Sequence, residues 1–132
     1  MTSAEYRKLA LQLPDTEERE HMNHPDFRVG GTIFATLGYP KAGWAMVKLS
    51  PAQQAEMVAK HPGAFVAVKG KWGESGCTNV ILKEAAKAAV ASALKMAWLN
   101  NAPEKTMKAE GGAIREEVIG KAKASPTKRG KK

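Results

Sequence analysis

The stretch His24-Pro25-Asp26-Phe27-Arg28-Val29-Gly30-Gly31-Thr32-Ile33-Phe34-Ala35 decides how this chain folds. Two short runs, Phe27-Arg28-Val29 and Ile33-Phe34-Ala35, stand on either side of a glycine pair. Aromatic and β-branched residues flanking two glycines read as a hairpin, because glycine takes the positive φ of a tight turn without a Cβ penalty. Side chains alternate along a strand, so Phe27 and Val29 share one face and Arg28 takes the other. A cation is thereby held out from a strand whose opposite side is apolar.

Outward from this hairpin, the pattern predicts a first helix over Ser3–Leu13. Thr2 and Glu5 have capping-box spacing, and Tyr6, Leu9, Ala10 and Leu13 recur at helical intervals. Pro14-Asp15 ends it, and the acidic patch Glu17-Glu18-Glu20 leads through Arg19 and His21 into an edge strand. After a turn over Gly38–Gly43, Trp44–Leu49 reads as a strand with Ala45, Val47 and Leu49 towards the helices and Trp44, Met46 and Lys48 on the open side. Ser50, Pro51 and Gln53 form an N-cap, N1 and capping-box set for a helix of about ten residues. Phe65–Val68 and Thr78–Leu82 read as partner strands around a glycine-rich loop, Lys69-Gly70-Lys71-Trp72-Gly73-Glu74-Ser75-Gly76. A long helix follows over Lys83–Leu99, with Ala86, Val90, Ala93, Leu94, Ala97 and Trp98 as its core stripe. The expected fold is therefore α+β, two-layered, with helices on one face of a mostly antiparallel sheet.

The 132 residues suffice for one domain with a core, and the composition, 43% apolar and 26% charged, is that of a soluble globular protein. No run of about 18 apolar residues could span a membrane. The N-terminus, Met1–Glu5, has no apolar core of a secretory signal, and a lone cysteine, Cys77, suits a reducing compartment, so a cytoplasmic location is expected. The net charge of +8 is uneven. Residues 1–102 carry twelve Lys and Arg against nine Asp and Glu, and residues 103–132 carry nine against four. The first segment is expected to be the domain. The second, with a helical turn or two over Ala113–Ile119 and a small, polar, basic end, is expected to be a largely disordered tail. A basic excess points to polyanions such as nucleic acid.

Candidate binding residues follow from that charge. Lys69 and Lys71 beside Trp72 combine phosphate attraction with an indole able to stack, and Gly70, Gly73 and Gly76 suit a projecting wing. The competing reading has Trp72 capping the core and the lysines merely solvated. Arg28, Arg19 and Lys48 would form a basic surface beside Trp44 if their strands are adjacent. Lys128 and Arg129, in the terminal Ser125–Lys132 run, could lie along a phosphate backbone or a minor groove, or simply solubilise the chain. His21, His24 and Asp26 fall short of a four-ligand metal set, so no metal or cofactor is expected. No nucleotide loop, nucleophile elbow or triad-like histidine is present, and no catalysis is expected.

Leu13-Pro14 with Glu17-Glu18, the His24–Gly30 and Ile33–Ala35 motifs, Lys48-Leu49-Ser50, Trp72-Gly73 with Gly76, and Ala97-Trp98 together resemble the MmcQ/YjbR family. The likeness covers roughly residues 4 to 102. It implies an α-β3-α-β2-α order similar to secretion chaperones, and a role in DNA binding through a double-wing surface. Separately from the resemblance, a monomer or weak homodimer acting on duplex DNA is expected. Thr32 and Cys77 depart from that pattern, standing where members often carry a lysine and a tryptophan. The expectation is thus a non-catalytic, low-specificity DNA-binding protein using Lys69, Lys71, Trp72, Arg28, Lys48, Arg19, Lys128 and Arg129. The alternative is a protein-interaction module that docks a partner or second copy on the open sheet face through Trp44 and Met46.

Overall fold

The computed structural model describes residues 1–123. Helix α1 (Ser3–Leu11) leads into four strands, β1 (Thr16–His21), β2 (His24–Val29), β3 (Thr32–Leu37) and β4 (Trp44–Lys48). Helix α2 (Pro51–Lys60), β5 (Phe65–Ala67), the short α3 (Lys71–Glu74), β6 (Cys77–Ile81) and α4 (Lys87–Asn101) follow. All six strands form one antiparallel sheet in the order β1-β2-β3-β4-β6-β5. Four strands thus precede α2, one more than the α-β3-α-β2-α order implied by the family resemblance, because the acidic segment pairs along its whole length, from Thr16↔Val29 to His21↔His24. An edge strand tolerates Glu17, Glu18 and Glu20 since one of its sides faces only water, and its charges discourage further pairing.

The hairpin predicted at Gly30-Gly31 is present, with both glycines at positive φ. One extra residue on β3 bulges opposite Phe27/Arg28, and Phe34 and Ala35 are both buried there. On β4, Ala45 and Val47 are buried while Trp44, Met46 and Lys48 are half-buried, so the sheet has one covered face and one open face. Tyr6, Phe27, Phe34, Phe65, Leu94 and Trp98 form the centre of the core. Tyr6 meets Phe27 edge-on and donates its hydroxyl to the Met46 carbonyl at 3.2 Å. Trp98 donates its indole N–H to the Pro14 carbonyl at 2.9 Å, tying α4 to the end of α1. Both capping boxes, Thr2 with Glu5 and Ser50 with Gln53, are formed.

Two helix boundaries differ from the sequence reading in ways that alter the core. Helix α1 stops at Leu11, two residues early, and Leu13 turns inward to be buried. Helix α4 begins at Lys87 rather than Lys83, because Leu82–Glu84 forms a 3-10 turn that buries Leu82 and leaves Ala85 and Ala86 extended. Ala86 is consequently an exposed cap residue, and Ala89 takes its place in the stripe.

The segment after Pro103 is the larger correction. It is helical, with the short α5 over Glu104–Thr106, a π-helical stretch over Met107–Gly111 and α6 over Gly112–Lys123. Met107, Gly111, Ile114 and Val118 recur at helical spacing, and Ile114 joins the core. Gly111 fits because the Met107 side chain occupies the space a Cβ would need. Thr106 donates its hydroxyl to Asp15 at 2.8 Å and Lys95 pairs with Glu117 at 3.0 Å, so the folded unit extends past residue 102. The glycine pair and surrounding charges hide this sparse apolar stripe in the sequence.

Candidate functional site

The glycine-rich segment does not project as a hairpin wing. It folds as a knuckle whose centre is α3, pinned at both ends. A Cβ on Gly73 would collide with the Val68 carbonyl, and one on Gly76 with the Leu49 carbonyl, so these glycines serve close backbone packing. Gln54 on α2 donates its amide to the carbonyls of Gly73 and Cys77 at 3.0 and 2.9 Å, and Ser75 donates its hydroxyl to the Trp72 carbonyl. With the backbone fixed inward, Trp72 is turned out and is 67% exposed, and the exposed Lys69 and Lys71 precede it. A single exposed ring is ordinary on a protein surface; this one is set apart by the tied backbone beneath it and the two lysines just before it.

The register places other predicted residues relative to this knuckle. Lys48 ends β4 and pairs with Cys77, the first residue of β6, immediately after the knuckle. Arg28 lies near the same end of β2, two strands away, which is about 10 Å by strand spacing. Arg28, Lys48, Lys69, Lys71 and Trp72 therefore gather towards one end of the sheet. Burial pushes the Cys77 thiol up in pKa, with Lys48 opposing. Lys128 and Arg129 lie outside the described residues.

Both sheet arginines are engaged rather than free. Arg28 donates from Nε and Nη2 to Asp26 at 2.8 and 3.1 Å, and His21 Nδ1 meets the same carboxylate at 2.7 Å. Asp26 is fully buried beneath these two side chains. The Arg28 guanidinium and the His21 hydrogen bond hold its carboxyl below the usual range, against the opposing effect of burial. Arg19 lies 3.9 Å from Glu17. The sequence shows His21, His24 and Asp26 together; what it does not show is that Arg28 claims the carboxylate. Among the described residues, no group of three or more His, Cys, Asp or Glu could hold a metal ion.

The opposite end of the open face carries a cluster that sequence reading passed over as a turn. Tyr39 is 58% exposed and packs edge-on against His24, with ring centres 5.0 Å apart. Lys41 sits over the Trp44 ring at 5.0 Å. Gly38 donates its N–H to the Trp44 carbonyl at 2.7 Å, and nothing stands within 4 Å of where its Cβ would be. The available signal was an aromatic and a lysine inside a glycine-bounded loop. Their partners, His24 and Trp44, come from different strands.

The fold and this face define a class: a small α+β protein with an open six-stranded antiparallel sheet whose polar and aromatic face is left uncovered by helices. The sequence profile of the YjbR family matches residues 11–100, and the chain belongs to that family. Among solved structures it is similar to the Deinococcus radiodurans protein DR2400, described by the domain DUF419. The TM-score is 0.64 at 18% identity, covering 89% of this chain and 88% of that one, a likeness of fold. No curated protein matches. No helix among the described residues is long and apolar enough to cross a membrane.

Proposed function

We propose that this chain is a non-catalytic, cytoplasmic DNA-binding protein that grips duplex DNA without reading its sequence. The observation that carries this reading is the knuckle, with an exposed Trp72 just after the exposed Lys69 and Lys71. Lysines beside an exposed ring suit a phosphate backbone, because the ammonium groups release counterions while the ring packs on sugar or base. Lys48 adds charge at the same end of the sheet. Arg28 is a weaker contributor, since its Nε and one Nη2 proton are committed to Asp26. Lys128 and Arg129 would add sequence-blind phosphate contacts. The reading includes no base-specific side chain and takes the protein as a monomer or weak dimer.

The test is anisotropy of a labelled 20-base-pair duplex in about 50 mM salt. Trp72→Ala and the Lys69→Ala/Lys71→Ala pair are each expected to weaken binding at least fivefold, and scrambling the duplex sequence to change little. A second reading has its own observation: Trp44, Met46 and Ile81 leave a half-exposed apolar strip on the open face, suited to a protein partner. Binding that ignores the lysines but falls on Met46→Lys would favour it.

A further inference from the structure

Of the eight aromatic residues in the chain, Tyr6, Phe27, Phe34, Phe65 and Trp98 are buried. The three outside the core, Tyr39, Trp44 and Trp72, each have a cationic or imidazole side chain in contact with them or next in sequence. His24 packs against Tyr39, Lys41 covers Trp44, and Lys71 precedes Trp72. Trp44 begins β4 and Lys48 ends it, a span of about 14 Å at the rise of an extended strand. One aromatic station thus lies towards each end of the sheet, Trp44 and Tyr39 at one and Trp72 at the other. The knuckle accounts for only one of them.

We propose that Tyr39, with His24, Lys41 and Trp44 around Gly38, is a second station that stacks an unpaired base, so that the open face takes a single-stranded nucleic acid. This rests on the reading that the face binds nucleic acid. The physical reasons are local. Tyr39 offers a largely uncovered ring in a loop, and the empty space at Gly38 lets a planar group approach beside it. Lys41 Nζ lies over the ring of the half-buried Trp44, and a base that takes its place lets the ammonium turn to a phosphate. A paired base in a duplex presents its edge, not its face, and cannot use such a station. A single-stranded nucleic acid is the polyanion whose exposed rings match both ends of the sheet.

The experiment compares the full chain on two labelled probes, a twelve-residue oligothymidine and a 12-base-pair duplex. Tyr39→Ala is expected to weaken the oligothymidine complex by roughly five- to a hundredfold, the range that loss of one stacking ring produces. Duplex affinity should stay within twofold. Tyr39→Phe should retain oligothymidine binding, which separates stacking from a hydroxyl hydrogen bond. Lys41→Ala, at an exposed position, should weaken the oligothymidine complex in the same direction without a Tyr39 change. Unchanged oligothymidine affinity in Tyr39→Ala, with duplex binding still sensitive to Lys69 and Lys71, would overturn the second station and leave the duplex reading intact. Absence of binding to either probe would overturn both.

Discussion

Replacing Asp26 with Asn keeps the shape of the side chain and removes the charge that holds Arg28 and His21. Three hydrogen bonds converge on the carboxylate, at 2.7, 2.8 and 3.1 Å. Breaking a buried ion pair typically costs about 3–5 kcal/mol. That figure must be discounted here, because the Arg28 and His21 side chains are 23% and 46% exposed and can rehydrate once released. Asn also retains an acceptor. A loss of about 2 kcal/mol is expected, lowering Tm by roughly 6–10 °C for a chain of this size. The pH dependence fixes the mechanism. Asp26 is held below the ordinary carboxylate range, chiefly by its hydrogen bonds from Arg28. In the window between the depressed native value and the unfolded value near ~3.9, the unfolded chain binds more protons, so stability rises with pH. The contribution is full above about pH 4 and is lost as pH falls through the native value. Urea denaturation of both proteins from pH 7 downwards reads this directly: the gap should be widest at neutral pH and close in acid. A variant as stable as the wild type at pH 7, or a gap that persists unchanged in acid, would refute the assignment of Asp26 as the anchor of the open face.

The same Asn variant releases a guanidinium onto the sheet, so duplex affinity at low salt should rise even as stability falls; an anisotropy titration on the folded variant checks the opposing signs. Ile114→Ala should destabilise the protein by about 2–4 kcal/mol in urea, because Ile114 is a core residue and not part of a free tail. Gly73→Ala should disrupt the knuckle, with exchange protection lost around residues 70–77 and duplex affinity reduced alongside the lysine variants. Ser50→Ala, which removes the cap of α2, should cost about 1 kcal/mol by chemical denaturation.

Local chemistry explains why some parts of this molecule were legible and others were not. The Gly30-Gly31 hairpin, the Ser50-Pro51 helix start and the alternation along Trp44–Leu49 each rest on neighbours in the chain, so the sequence alone carries them. The first strand was legible as an edge because its charges exclude it from a centre. Lys83–Ala86 misled because it has good helix formers, while the decisive fact is tertiary: burial of Leu82 forces a corner before the helix can begin. The segment 104–118 misled in the opposite way, since its stripe of Met107, Gly111, Ile114 and Val118 has meaning only against the surface that α1 and α4 present. At the candidate site, the lysines and Trp72 could be named from composition and spacing. The glycines around them promised a free wing, whereas the backbone uses them to pack tightly on Val68 and Leu49. Nor could residue spacing show that Asp26 would neutralise Arg28, or that Tyr39 would reach His24.

The most direct measurement is the salt dependence of duplex affinity for the wild type and for Lys69→Ala/Lys71→Ala. Each phosphate contact contributes about −0.9 to the slope of log K against log salt. The double variant should therefore lose close to two units of slope, with far-UV circular dichroism unchanged. An identical slope in the two proteins would contradict the account.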